Sequence, residues 1–427
     1  MAHGQQEKII NLGNQRKCKM KKILISGPIL SRSGYGEMAR FALRSLKDRP
    51  DVDLYLLPTS WGNTGWLFDD NEERRYIDEL VLKTQLFLQK NNNQFLFDIS
   101  LQISIPNEWK KLTPVNIGYT AGIETNMISP AWFEPSQGMD KIIVISEHAK
   151  AGFINTVFGN SLGQQFKVFT SVDVVHLPYR EIEKENLDLN LKYDFNFLCI
   201  CQWSARKNLE QTIIGFLEEF SNEEVGLVLK INTANDSMMD REHTKKRLQN
   251  LLNNYKNKKC SVHLLHGHLS EQQMQSIYNN PKIKAIVSTT HGEGFGLPLL
   301  EAAANELPVI ATDWSGHTDF LYMPDEKNKK RMFGKIDFDL KPISKEHVWA
   351  GVLEEGTQWA FPKMASYKDR LRDCYKDYGR YKSQAKKLSS WIKTEFEQKK
   401  LNDKFFSLIC PSAPDEDIFK NFYTLNT

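Results

Sequence analysis

The amino-acid sequence predicts an α/β protein of two doubly wound domains facing one another across a cleft, with a helical C-terminal segment. Three observations predict it. The 427 residues exceed what one ordinary hydrophobic core organises. Apolar runs of strand length alternate with amphipathic helical stretches in both halves, the pattern of parallel sheets covered by helices. A charged stretch without an apolar period, REIEKENLDLNLKY from Arg180 to Tyr193, separates the halves and reads as the interdomain linker.

The elements follow in order. Residues 1–20 are polar and basic and are expected to form a flexible tail. KKILISG is a first strand, with Ile23 to Ile25 at its centre, ending in a turn at Gly27 and Pro28. A helix follows in which Met38, Phe41, Ala42 and Leu46 share one apolar face. DLYLLP is a second strand, ended by Pro58, and TSWGNTGW is a Gly/Trp loop. FDISLQIS, VNIGYT, KIIVIS and VVHLP supply further strands, so residues 21–180 form the first domain. The second domain, 194–395, repeats the alternation: FNFLCIC, VGLVLKI, SVHLL and KAIVST as strands, with LEQTIIGFLEEF, a charged segment near 240–256, and EQQMQSIY as helices. The segment after Lys345 reads as mostly helical. Two doubly wound domains place a ligand cleft where the carboxyl ends of their strands face each other.

Composition narrows the partners. The net charge of +3 implies neither a nucleic-acid nor a membrane partner in bulk. Residues 363–400 carry twelve Lys/Arg against five Asp/Glu, which reads first as a solvated helical face. The six cysteines form no CxxC pair, and Cys199 and Cys201 share one face of a buried strand. The N-terminus lacks the apolar stretch of a secretory signal. No apolar run approaches the ~18–20 residues of a membrane span, so no transmembrane segment is expected. A reducing, cytoplasmic setting is expected.

One segment carries most of the chemistry. AIVSTT is a buried-strand pattern, HGEGFG a glycine-broken turn, and LPLLE a helix start with Pro298 suited to the first turn. Gly292, Gly294 and Gly296 would let the backbone approach a ligand closely. Strand, Gly-rich turn and helix together aim free N–H groups at an anion. The carboxylates Glu293 and Glu301, eight positions apart, cannot bind that anion and need hydroxyls. The ligand therefore has both phosphate and sugar character. In CQWSARKNLEQ, Arg206 and Lys207 fall at the carboxyl end of the second domain's first strand. Fixed cations there would stabilise a diphosphate leaving group more in the transition state than in the ground state.

EGFGLPLLE followed by PVIATDWSG resembles the E-x7-E signature of retaining glycosyltransferases of family 4, which have the two-domain GT-B fold with Rossmann-like domains. The resemblance implies that Glu293 contacts donor-sugar hydroxyls and Glu301 the ribose hydroxyls. Backbone amides around Gly294, Phe295, Gly296 and Leu297 would meet the sugar and diphosphate. Arg206 and Lys207 are similar to the family's basic donor-phosphate pair; the additional arginine of many members would fall near Gln202. In SGPILSRSGYG, Gly34, Tyr35 and Gly36 match the loop that approaches the donor phosphate from the first domain. A dinucleotide reading fails there, because the spacing is not GxGxxG. In NIGYTAGIETNMISPAW, Glu124, Thr125 and Asn126 match the segment near the reacting carbon, and Ser146 with Glu147 a helix start that capping explains equally well. A final helix in 396–427 would return to the N-terminal domain.

The reaction this implies is transfer of a hexosyl or pentosyl group from a nucleoside diphosphate sugar, as co-substrate, to a hydroxyl acceptor with retention of configuration. No resident cofactor is expected. His263, His266 and His268 cluster without partnering carboxylates in the sequence, and Asp51 and Asp53 precede their strand, so no metal is expected. Trp61, Trp66 and Thr125 are the acceptor-side candidates. A saccharide acceptor is expected, with a hydroxymethylated DNA base as the alternative, tracked by the basic C-terminal helices. Peripheral membrane contact would use that same face. A non-catalytic nucleotide-sugar binding module is the reading of another class.

Overall fold

The computed structural model describes residues 20–411 except 160, 161, 256 and 327. The expected tail, residue 20 apart, and residues 412–427 of the final segment lie outside the described residues.

Two six-stranded parallel sheets organise the chain. The first contains β1 (Lys21–Gly27), β2 (Val52–Pro58), β3 (Ile99–Ile103), β4 (Val115–Thr120), β5 (Lys141–Val144) and β6 (Val172–Val174), in the order β2-β1-β3-β4-β5-β6. The second contains β7 (Asn196–Gln202), β8 (Gly226–Asn232), β9 (Ser261–Leu265), β10 (Ile283–Ser288), β11 (Val309–Thr312) and β12 (Gly334–Ile336), in the order β9-β8-β7-β10-β11-β12. The strands are nearly continuous apolar runs because helices cover both faces of such sheets. β3 is buried throughout.

Strand order reverses between β1 and β3 in the first sheet and between β7 and β10 in the second. β7 and β10 are direct neighbours, with Leu198 opposite Ile286. The loops that follow them therefore emerge side by side, at the position where doubly wound sheets bind ligands. Those loops are the two sequence segments singled out for phosphate and hydroxyl chemistry.

Helix α1 (Gly34–Leu46) buries Met38, Phe41, Ala42 and Leu46. It starts cleanly because the Ser33 hydroxyl accepts from the Gly36 amide. The last described helix, α2 (Gln398–Ile409), lies on it: Phe405 meets the ring of Phe41 at 5.1 Å and that of Tyr119 at 5.0 Å. The chain crosses between the domains at Tyr179 and again at Phe396, and the Tyr179 amide donates to the Phe396 carbonyl at 2.9 Å.

The segment after Lys345 differs from the helical reading at its start. Phe338–Pro342 and Gln358–Pro362 pair as an antiparallel hairpin, and helices resume only at Met364. Trp359 and Ala360 are buried in it. In the basic stretch 363–400, seven of the twelve cations (Lys363, Lys368, Arg370, Arg372, Arg380, Lys382 and Lys400) pair with nearby carboxylates. Among the described residues no helix is long and apolar enough to cross a membrane.

Candidate functional site

The second domain's switch point brings Arg206, Lys207 and Glu293 together. Lys207 Nζ lies 2.6 and 2.5 Å from the two carboxylate oxygens of Glu293. Arg206 donates to the Gly292 carbonyl at 2.5 Å and approaches Glu293 at 3.4 Å. The loops are tied by main chain as well, since the His291 amide donates to the Arg206 carbonyl at 2.8 Å. Burial alone would raise the Glu293 carboxyl, but the Lys207 and Arg206 charges outweigh it and hold the group down at about 2. Glu293 is thus an anion at any physiological pH, fit to accept hydroxyls and unfit to donate a proton.

Glu124 faces this cluster from the first domain, its carboxylate 3.1 Å from Arg206. Burial works against the Arg206 charge, and Glu124 and Glu293 more than compensate. A single guanidinium therefore bridges carboxylates of both domains. The glycines of the turn bear on this contact. A Cβ at Gly292 would lie 2.7 Å from the Glu124 carbonyl oxygen, and one at Gly294 would lie 3.1 Å from that of Ala121. The backbone of the other domain thus comes close to these two glycines. Only Gly296, at φ 88°, needs glycine for its own conformation.

Gly296 precedes the helix Leu297–Ala304, whose first turn contains Pro298. Phe295 is buried against Phe320, 5.3 Å between ring centres, so its side chain belongs to the core and only its main chain borders the turn. Glu301 accepts from the Tyr278 hydroxyl at 2.7 Å. Burial, reinforced by the nearby Glu37 and Glu271 charges, raises its carboxyl to about 7, and the Tyr278 bond only moderates the rise. The two carboxylates of one motif thus hold opposite electrostatic positions.

In the first domain, Gly34 borders open space, whereas a Cβ at Gly36 would overlap the Ser31 carbonyl. Tyr35 shares a hydrogen bond with the Thr120 hydroxyl at 2.8 Å and packs on Trp61 at 4.2 Å between ring centres. Trp66 is 61% exposed. Phe68, equally exposed and missed in the sequence, meets the ring of His268 of the second domain at 5.2 Å. Thr125 is a correction among the acceptor-side candidates: it is buried and its hydroxyl donates to the Met127 carbonyl at 2.7 Å, closing a turn. Ser146 caps its helix by accepting from the Ala149 amide.

Sequence reasoning also missed Asp319. Its carboxylate accepts from the Glu147 amide at 2.8 Å and pairs with His176 at 3.1 Å, joining the second domain to the first. The signal was its place in SGHTDF, directly after the Gly-rich turn's partner loop. The histidine reading needs correcting too. His266 pairs with Asp240 at 2.9 Å and His268 lies 3.5 Å from Asp69, carboxylates distant in sequence. Among the described residues no three His, Cys, Asp or Glu side chains converge as a metal site. Gln202 donates to the Thr233 carbonyl at 3.0 Å.

Two parallel-sheet Rossmann-like domains with their switch points turned to one cleft define the GT-B fold, and solved structures with this architecture resemble the chain along nearly its whole length. Anabaena HepE, solved with UDP and glucose, superposes with a TM-score of 0.59 at 12% identity, covering 91% of this chain and 99% of HepE. Sucrose-phosphate synthase from Thermosynechococcus elongatus gives 0.59 at 11% identity, over 95% and 100% of the two chains. A glycosyltransferase from Rickettsia africae gives 0.54 at 12%, over 94% and 99%. Residues 204–324, which hold Arg206, Lys207, Glu293 and Glu301, match the family described as Glycosyl transferases group 1. The matched stretch lies within the second domain and holds the site turn and the basic pair. No curated protein matches the sequence.

Proposed function

We propose that the protein transfers a hexosyl or pentosyl group from a nucleoside diphosphate sugar to a saccharide hydroxyl, with retention of anomeric configuration and without a metal. The observation that carries this reading is the convergence of Arg206, Lys207 and Glu293 beside a Gly-rich turn and helix start, with Glu124 opposite. Cations at a leaving diphosphate stabilise charge that develops in the transition state. A carboxylate held ionised accepts sugar hydroxyls and fixes the anomeric carbon relative to the acceptor. Lys207 is engaged by Glu293, so binding of a diphosphate would redistribute an existing ion pair rather than neutralise a bare cation.

Retention is supported by the chemistry of the groups available. Glu124 and Glu293 are both bound to Arg206, which makes each a poor nucleophile. Front-face displacement suits such a site: the bond from the anomeric carbon to the phosphate oxygen breaks, the departing oxygen takes the acceptor proton, and the acceptor oxygen bonds on the same face. The saccharide acceptor is favoured by Trp61, Trp66 and Phe68 along the first-domain loop that reaches the cleft. HepE, a structural relative, was solved with UDP and glucose, which makes UDP-sugars the first donors to test.

The deciding experiment is donor hydrolysis and transfer across a panel of nucleotide sugars, with the product anomer read by NMR. A product of inverted configuration would overturn the retaining mechanism. Donor binding without hydrolysis or transfer to any saccharide would establish a binding module instead.

A further inference from the structure

The hairpin Phe338–Pro342 and Gln358–Pro362 belongs to the second domain, yet its connecting loop 343–357 is seated in the first. Val352 is buried in an apolar cluster with Trp132, Ile128 and Ile123. Trp132 Nε1 donates to the Gly351 carbonyl at 2.9 Å, and Glu354 accepts from the Ser129 hydroxyl at 2.5 Å and from the Gly351 amide at 2.9 Å. At the hairpin's other end the Gln358 amide donates to Asn126 at 2.8 Å. The tip is therefore held in the first domain by a buried side chain and by hydrogen bonds to Asn126, Ser129 and Trp132.

The base of the same hairpin grips the site turn. The Ala360 amide donates to the His291 carbonyl at 3.1 Å, and His291 Nδ1 donates back to the Ala360 carbonyl at 2.7 Å. Trp359 lies parallel to the His291 ring, 4° between planes and 5.4 Å between centres. His291 stands two residues before Glu293 and is buried. We infer that this hairpin is a clasp coupling closure of the first domain to the placement of Glu293, with His291 as the positioning residue that transmits it. Separation of the domains must either withdraw Val352 from its cluster or pull on the strand that holds His291. Because a packed apolar tip is seated or unseated rather than partly engaged, the site turn senses domain closure as a two-state event. The part of the inference that concerns donor affinity rests on the function proposed above; the mechanical coupling does not.

The test uses the full chain and hydrogen exchange. Val352→Ser and, as a milder variant, Glu354→Ala, which removes the acceptor for Ser129 and Gly351, release the tip, while Trp359→Leu leaves the tip seated and weakens the link to His291. Tip release is read as faster exchange in 343–357, and its transmission as exchange at 291–296 about tenfold faster in the absence of ligand, within the range typical of coupling between sites. UDP affinity, measured by calorimetry, should fall about tenfold in the tip variants and in Trp359→Leu, with the double variant no worse than the weaker single one. A tip that exchanges freely while 291–296 stays as protected as in the wild type would overturn the clasp. Absence of UDP binding in the wild type would count against the donor reading, and the exchange experiment would still decide the coupling.

Discussion

The ammonium of Lys207 lies within 2.6 Å of both carboxylate oxygens of Glu293, although 86 residues separate them in the chain. The pair is largely sheltered, with 19% and 11% of the side chains exposed. In the function proposed, it holds the cation at the leaving diphosphate. Lys207→Ala is expected to lower transfer by about 10²-fold or more, since fixed charge at the leaving group is lost. Stability should also fall, by roughly 1–3 kcal/mol, because a sheltered carboxylate loses its main partner. Turnover and thermal melting of the one variant check both; wild-type transfer would remove Lys207 from the site.

The motif's carboxylates predict opposite pH effects. Glu293 is held down at about 2 against an ordinary 4.5, so its contribution to stability is complete above about pH 4.5 and disappears as the pH falls towards 2. Glu301 is raised to about 7, so the folded state keeps its proton where the unfolded chain has lost it. Its contribution is complete below about pH 4.5 and is lost as the pH rises through 7. Glu301→Gln should therefore flatten the fall in melting temperature between about pH 4.5 and 7. An unchanged slope would show that Glu301 does not titrate there.

Gly292 lies against the backbone of the other domain. A Cβ there would lie 2.7 Å from the Glu124 carbonyl oxygen, a backbone atom that cannot swing aside. Gly292→Ala should hold the domains apart, enlarging the radius of gyration in solution scattering and abolishing transfer, while each domain keeps its helical circular dichroism. An unchanged radius with full activity would contradict this.

The two first-domain glycines separate structure from binding. Gly36→Ala places a methyl group against the Ser31 carbonyl and should cost roughly 1–3 kcal/mol, seen as a lowered melting temperature. Gly34 borders open space, so Gly34→Ala should leave melting nearly unchanged. If the loop receives the donor phosphate, Gly34→Ala raises the KM for the nucleotide sugar. Equal effects of the two substitutions on melting would refute the distinction.

Legibility in the sequence followed the range of the physics. The two sheets could be read because strand and helix patterns are local: Ile23 to Ile25, and the periodic Met38, Phe41, Ala42 and Leu46, declare their elements within a few residues. The turn at 292–296 and the basic pair 206–207 were visible as motifs, and parallel pairing of β7 with β10 placed them together. The hairpin 338–362 was not visible as a clasp, because Val352 is buried against Trp132 and Ile128, more than two hundred residues earlier. Thr125 was misjudged for a related reason. A polar or aromatic residue beside a motif can face the cleft or the core, and only packing against distant elements decides which.

The sequence by itself determined the class of fold, the strand-to-helix turn with its two glutamates, and the basic pair Arg206 and Lys207. Each of these depends on residue type and short spacing. Only the tertiary structure decided that Glu293 is held ionised while burial raises the Glu301 carboxyl to about 7, that Gly292 and Gly294 make room for the other domain, and that a hairpin joins that domain to the site turn. These properties come from burial and from charges brought together across long stretches of chain. Local pattern contains no record of such distances.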